Sequence, residues 1–239
     1  MFTDRADAGR QLGQRLRRLR ACETGSGGSS VVVLGLPRGG VQVAAEVAAA
    51  LGAPLDVIVV RKLGVPAEPE LAMGAIGEDG VRILLRETVQ RAGITPAAFA
   101  EVERRERAEL ARRAERFRGD RPRVALVGRT AVVVDDGIAT GSTARAACQV
   151  VRAQGAAHIV VAVPVAPSGW VRGMRDTADE LIALLTPTKL QAIGAWYTDF
   201  SQTTDEQVVA CLRPPTHSTD SAALSESQNK STKSDECAK

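Results

Sequence analysis

The chain has 239 residues, 44% of them hydrophobic and 25% charged. That balance excludes wholesale disorder and leaves ample length for a buried core. A net charge of +3 and an aromatic content of 3% exclude a strongly basic nucleic-acid protein and a base-stacking platform. Cys22, Cys148, Cys211 and Cys237 form no C-x-x-C pair, and His158 and His217 stand far apart. Neither a zinc site nor a disulfide framework is therefore expected, and a reducing compartment fits.

No run approaches the roughly 18 apolar residues that span a bilayer, so no membrane partner is expected. The N-terminal segment is basic but lacks an apolar stretch, and Asp4 and Asp7 argue against an organelle-targeting peptide; the expected location is cytoplasmic. Leu12, Leu16 and Leu19 recur at helical spacing and predict a helix with one packed face. Val31 to Leu36 reads as a buried strand, and Val41 to Leu51 as a helix stopped by Gly52. Leu55 to Val60 reads as a second strand, and Leu71 to Leu85, with Gly77 and Gly80 inside it, as a hairpin.

Thr95-Pro96 opens a long helix running to about Arg118, with Thr at the N-cap and Pro at the first helical position. Glu101 and Arg105, Glu103 and Arg107, and Glu109 and Arg113 are spaced to pair along it, and only Phe99, Val102, Leu110 and Phe117 are packable. Such a helix is a solvated charged face, a lid or an oligomer contact. Ala131 to Val134 is a third strand, followed by a helix over Ala144 to Gln154 that Gly155 stops. His158 to Val163 is a fourth strand, ended by Pro164, and Leu181 to Leu185 a fifth. Continuous apolar strands alternating with helices predict an α/β domain over residues 1–213, its parallel sheet covered on both faces. Residues 214–239 are Ser- and Thr-rich with little to bury, and predict a disordered polar tail.

The chemistry concentrates after the third strand. There Asp135 and Asp136 are followed by Gly137, Ile138, Ala139, Thr140, Gly141, Ser142 and Thr143. Strand ends carry the ligands of open α/β sheets. A loop of small and hydroxyl residues running into a helix N-terminus suits a phosphate, and two adjacent carboxylates suit hydroxyls or a divalent cation. A phosphorylated sugar satisfies both. The chain lacks the lysine of a P-loop and has no G-x-G-x-x-G after a strand, so neither a nucleoside triphosphate nor a dinucleotide is indicated.

This segment resembles the phosphoribosyl pyrophosphate (PRPP) motif of the type I phosphoribosyltransferases. Leu36-Pro37-Arg38-Gly39-Gly40 follows the first core strand, where that family keeps its pyrophosphate loop, and Arg61-Lys62 follows the second strand. From Phe2 to Leu212 the chain is similar to a group of bacterial predicted phosphoribosyltransferases. The matching pieces are Phe2-x-Asp4-Arg5-x-x-Ala8-Gly9, Leu36 to Gly40, Val60-Arg61-Lys62-Leu63-Gly64, Glu70 to Gly77, and Tyr197-x-Asp199-Phe200. The resemblance implies a parallel-sheet phosphoribosyltransferase core with a small hood and a long charged helix inserted before the PRPP-motif strand.

By resemblance, Asp135 and Asp136 hold the ribose hydroxyls, partly through Mg²⁺. Ala139, Thr140, Gly141, Ser142 and Thr143 bind the 5′-phosphate. Pro37, Arg38, Gly39, Gly40, Arg61 and Lys62 bind pyrophosphate, with Arg38 and Lys62 stabilising it as it leaves. Trp196, Tyr197 and Phe200 are hood candidates, either for core and hood packing or for stacking on a base. The implied reaction transfers the phosphoribosyl group from PRPP to a nitrogen acceptor of unidentified structure. One departure matters: Ala139 stands where 6-oxopurine enzymes keep an aspartate, so a general acid or base must come from elsewhere, for example Glu70 or Asp199. The rival readings are a non-catalytic regulator sensing PRPP or a nucleotide, and a nucleic-acid protein using the arginine-rich helix; the interleaved glutamates disfavour the latter. A homodimer is compatible with the sequence.

Overall fold

The computed structural model describes residues 1–18 and 30–213; Leu19 and the predicted tail lie outside the described residues. Five strands form a fully parallel sheet in the order β2-β1-β6-β7-β8: β1 (Val31–Gly35), β2 (Leu55–Val57), β6 (Thr130–Val134), β7 (His158–Val165) and β8 (Glu180–Leu185). Its central strands are apolar on both sides because both sides are covered. Val31, Val33, Val132 and Val134 face α1 (Arg5–Leu16) and α2 (Gly39–Leu51), packing on Leu12, Leu16, Val43 and Val47. Val32, Leu34, Val133 and Val161 face the other way and pack with Ala147, Val150 and Val151 of α5 (Ser142–Ala153), and Trp170 and Met174 of the short α6 (Trp170–Met174) join that cluster.

A second sheet is antiparallel, in the order β3-β4-β5: β3 (Val60–Val65), β4 (Glu68–Gly77) and β5 (Arg82–Leu84). The short α3 (Arg86–Arg91) leads on to α4 (Pro96–Arg118), and α7 (Asp205–Leu212) closes the described chain. Leu63, Met73 and Ile76 of the second sheet share a buried cluster with Phe99, Val102, Leu110 and Phe117 of α4 and Val208 of α7. The long charged helix therefore lays a thin apolar stripe on its own chain. Thr95 caps it by accepting the Ala98 N–H.

The structure corrects several expectations. The apolar run Leu55 to Val60 is not one strand: it breaks after Val57, and Val60 begins the antiparallel sheet. Arg61 and Lys62 accordingly sit inside β3, not in a loop after a strand. Pro164 does not end β7, which continues to Val165 and pairs there with Leu185. Glu101 pairs with Arg104, three residues on, instead of Arg105. Arg118, at the end of α4, is buried and binds Asp56 and Glu78 as well as the Val57 carbonyl, tying α4 to both sheets. Among the described residues, no helix is long and apolar enough to cross a membrane.

Strands β1 and β6 are neighbours in register, Gly35 opposite Val134. Both therefore end at the same place, and the loops leaving them lie side by side at the carboxyl edge of the sheet, where such folds bind ligands.

Candidate active site

The loop after β1 is pinned to β6 by the Leu36 N–H, which donates to the Val134 carbonyl at 2.8 Å. It then passes so close to the acidic pair that side chains are excluded. A Cβ on Gly39 would stand 1.9 Å from Asp136 Oδ2, and one on Gly40 would stand 2.8 Å from the Asp135 Cα. The loop after β6 turns into α5 at Gly141, whose φ of 76° lies in the left-handed region that glycine adopts without strain.

Both loops deliver a helix whose first turn has no side-chain cap: α2 starts after Arg38, and α5 after Gly141. Asp4 on α1, Thr95 on α4 and Thr204 on α7 do cap their helices, whereas the short α3 and α6 also start without a side-chain cap. Uncapped N-terminal N–H groups together with the helix dipole form an anion site, and here two of them flank one pair of carboxylates. Thr140 and Ser142 add hydroxyls, 3.2 Å apart. A cavity of about 230 Å³ runs over this loop, bounded by Asp135, Asp136, Thr140, Ser142, Thr143 and Ile193.

The two acids are held differently. Asp135 Oδ1 accepts the Asp136 N–H at 2.9 Å. Burial, and then the charge of Asp136, push the Asp135 carboxyl well above the usual carboxylate range. Asp136 Oδ2 accepts from Arg5 Nε at 2.8 Å, and the Asp136 carbonyl accepts the Tyr197 hydroxyl at 2.6 Å. The two carboxyls also hydrogen-bond one another, which raises the Asp135 carboxyl further. No group of three or more His, Cys, Asp or Glu suited to a metal exists among the described residues. Mg²⁺ wants about six oxygens and keeps several waters. The donor set thus fits a cation carried in by an oxygen-rich ligand, with the two carboxylates as its protein-side oxygens.

The cations expected to grip pyrophosphate are each engaged by an acid. Arg38, 42% exposed, lies 3.8 Å from Asp205, which Arg116 of α4 holds at 2.5 Å. Arg61 pairs with Glu106 at 2.6 Å, and Lys62 with Glu70 at 3.0 Å. Pro37, Arg61 and Lys62 line a larger cleft, about 570 Å³, between β3 and α4, which Thr143 also reaches. Glu70 is thus committed to Lys62. Asp199 accepts the Ser201 N–H, which holds its carboxyl below the usual range, so it is an ionised acceptor and not a proton donor at neutral pH.

Two rings of the aromatic trio are engaged in packing. Tyr197 is 5% exposed and packed between Phe2 and Phe200, ring centroids 5.3 and 4.9 Å away. Phe200 lies beneath the Arg5 guanidinium, 3.9 Å from its centroid. These two rings build the hood's own packing, Tyr197 buried and Phe200 half-buried, and Trp196 is half-buried in the short 3-10 turn Ile193–Trp196. Sequence reasoning missed Arg5, Asp205 and Ile193. Arg5 lies 131 positions from its carboxylate partner, a pairing that no local pattern reveals.

Comparison with known proteins agrees with this geometry. The phosphoribosyl transferase domain family matches residues 4–181. A curated Mycobacterium tuberculosis H37Rv protein, named "Putative phosphoribosyl transferase Rv0571c", is 58% identical over 212 residues, covering 89% of this chain and 46% of that protein. A protein of the same description from strain CDC 1551 matches equally, so the chain spans about half the length of the curated relatives it matches. Among solved structures, TT1426 from Thermus thermophilus superposes with a TM-score of 0.80 at 44% identity, covering 88% of this chain and 97% of that one. The chain belongs to the phosphoribosyl transferase domain family.

Proposed function

We propose that residues 1–213 form a domain that transfers the 5-phosphoribosyl group of PRPP to a nitrogen acceptor and releases pyrophosphate. The observation that carries this reading is the pair of uncapped helix N-termini, side by side, with Asp135 and Asp136 between them. PRPP carries an anion at each end and two hydroxyls in the middle, which is the order of groups the site offers. Thr140, Gly141, Ser142 and Thr143, with the Ala139 backbone, take the 5′-phosphate; Arg38, Gly39 and Gly40 take the pyrophosphate; and the two carboxylates take the ribose hydroxyls. Mg²⁺, bound with PRPP, supplies charge neutralisation at the pyrophosphate.

The acceptor nitrogen donates its lone pair to C1′ while the C1′–O bond breaks and its electrons leave with pyrophosphate. Negative charge grows on that leaving group. Arg38 and Lys62 stabilise it by exchanging their internal partners Asp205 and Glu70 for phosphate oxygens. The acceptor's proton is lost to a base outside the PRPP loop, because Ala139 offers none. The free thiols Cys148 and Cys211 accord with a reducing, cytoplasmic setting.

The test is a PRPP-dependent pyrophosphate-release screen with Mg²⁺ over hypoxanthine, guanine, adenine, uracil, orotate, nicotinate and simple amines, run beside the Asp135→Asn, Asp136→Asn double variant. Release with an acceptor other than hypoxanthine or guanine, and its loss in the folded double variant, is the expected result. General acid–base help is worth about 10²–10⁴-fold, so the two 6-oxopurines should be poor. Mg²⁺-PRPP binding without turnover of any acceptor would favour a sensor over an enzyme, and absence of binding would overturn the reading.

A further inference from the structure

Arg5 is 9% exposed and lies far in sequence from everything it touches. Its Nε donates to Asp136 Oδ2 at 2.8 Å, its Nη1 donates to the Ser201 carbonyl at 2.7 Å, and its guanidinium plane covers the Phe200 ring. It also abuts the opposite loop: a Cβ on Gly39 would stand 2.7 Å from Arg5 Nε. The segment that carries it is fixed independently. Asp4 caps α1 by accepting the Asp7 N–H at 2.7 Å. Phe2 bridges the hood in β fashion, its N–H donating to the Trp196 carbonyl and its carbonyl accepting the Thr198 N–H, each at 2.8 Å. The Asp199 N–H then donates to the Thr3 carbonyl at 2.8 Å. Tyr197, in the same clasp, reaches the Asp136 backbone from the other side.

These contacts fix one carboxylate from several directions. A guanidinium on Oδ2 sets the rotation of the Asp136 carboxyl and leaves Oδ1 as the oxygen for an incoming group. A surface ion pair would do little of this, because long exposed side chains give up entropy to hold one geometry. A buried, hydrogen-bonded arginine does more, its donors held by two acceptors and its plane by an aromatic ring.

We propose that Arg5 is a positioning residue for the sugar-binding acid: it turns Oδ1 of Asp136 toward the ligand and couples the N-terminal segment and hood to PRPP binding. This deepens the function proposed above and rests on it.

The experiment is a double-mutant cycle on the full chain, using Arg5→Met, Asp136→Asn and the combination, with Mg²⁺-PRPP affinity read by calorimetry and folding by melting. Arg5→Met is expected to weaken PRPP by about 10- to 100-fold, the worth of one charge-assisted hydrogen bond. The combination is expected to lose no more than Asp136→Asn alone, because Arg5 acts through that carboxylate. Arg5→Lys, which keeps a cationic donor, is expected to recover part of the loss; it replaces Arg5→Met in the cycle if the methionine variant does not fold. Losses that add, or full affinity in Arg5→Met, would overturn the role of Arg5 and leave the PRPP reading standing. Failure of the unmodified protein to bind Mg²⁺-PRPP would overturn both.

Discussion

Two adjacent glycines allow the site to be tested by two different failures. At Gly39 the atom a methyl group would meet is the end of a side chain, Asp136 Oδ2 at 1.9 Å. A carboxylate can swing aside, so Gly39→Ala should fold but break the Asp136–Arg5 pair and misplace the acid. At Gly40 the nearest atoms are the Asp135 Cα and the Val134 carbonyl, both at 2.8 Å. Backbone inside a packed parallel sheet cannot swing, so the whole loop must move. Overpacking of this kind costs about 1–3 kcal/mol. In a domain of this size each kcal/mol lowers Tm by about 2–4 °C, so Gly40→Ala should melt about 2–12 °C lower. Gly39→Ala should lose less in melting and more in ligand affinity, about tenfold or beyond, since a charge-assisted contact is displaced. Differential scanning calorimetry and titration with Mg²⁺-PRPP on the same preparations read both quantities. A Gly39→Ala protein that binds PRPP within about twofold of the unmodified chain, well under one hydrogen bond's worth, would refute the placement of Asp136 at the ligand.

Arg38→Ala should weaken PRPP far more than a nucleoside monophosphate, which has no pyrophosphate; equal losses for both in competition titrations would remove Arg38 from that role. Arg118→Met leaves Asp56 and Glu78 buried without their cation, a loss of about 3–5 kcal/mol that thermal melting should register as one of the largest single-site drops outside the apolar core; an unchanged Tm would show the triad to be dispensable. The raised Asp135 carboxyl makes the ligand-free fold pH-sensitive: above its ordinary value of 3.8 the folded state still holds a proton that the unfolded chain has lost, so stability declines as pH rises through the window from there to the raised value. Asp135→Asn should flatten that limb of the Tm–pH profile and leave the variant relatively more stable at neutral pH, though unable to bind Mg²⁺-PRPP; an unaltered profile would mean that Asp135 ionises as an ordinary surface acid.

Residues that act through neighbours in the chain were legible, and residues that act through space were not. The strands at Val31, Ala131, His158 and Leu181 announce themselves because a two-faced parallel sheet needs unbroken apolar runs. The long helix was legible from Thr95-Pro96 and from residues whose burial the structure bears out, Phe99, Val102, Leu110 and Phe117. The break after Val57 was hidden because the run stays apolar while its destination changes: Ile58 packs against the α5 side of the parallel sheet, and Val57 and Val59 join the cluster under α4. Three aromatics within five positions read either as hood packing or as a surface for stacking on a ring, and the chain's local pattern does not choose between them. Tyr197 and Phe200 are occupied by Phe2 and Arg5, residues brought in from the far end of the chain.

The glycines of the two loops gain a second meaning from this. Gly39 and Gly40 read from sequence as a phosphate-binding pattern, and Gly141 as a point of close backbone approach. The structure adds that the N-cap positions of these two helices, Arg38 and Gly141, supply no side-chain cap, unlike Asp4, Thr95 and Thr204 on α1, α4 and α7. Leaving a helix start unsatisfied costs stability, since a side-chain cap is worth about 1 kcal/mol. Of the four described α-helices that start uncapped, α2 and α5 are the two that follow the adjacent strands β1 and β6, and both present first-turn N–H groups beside the same two carboxylates. A fold that must accept an anion at each end of one ligand has to leave them open, and has to keep its nearest acids from closing the gap. Arg5 does this for Asp136 by holding its Oδ2 toward the hood, and the Asp136 N–H does it for Asp135 by holding its Oδ1.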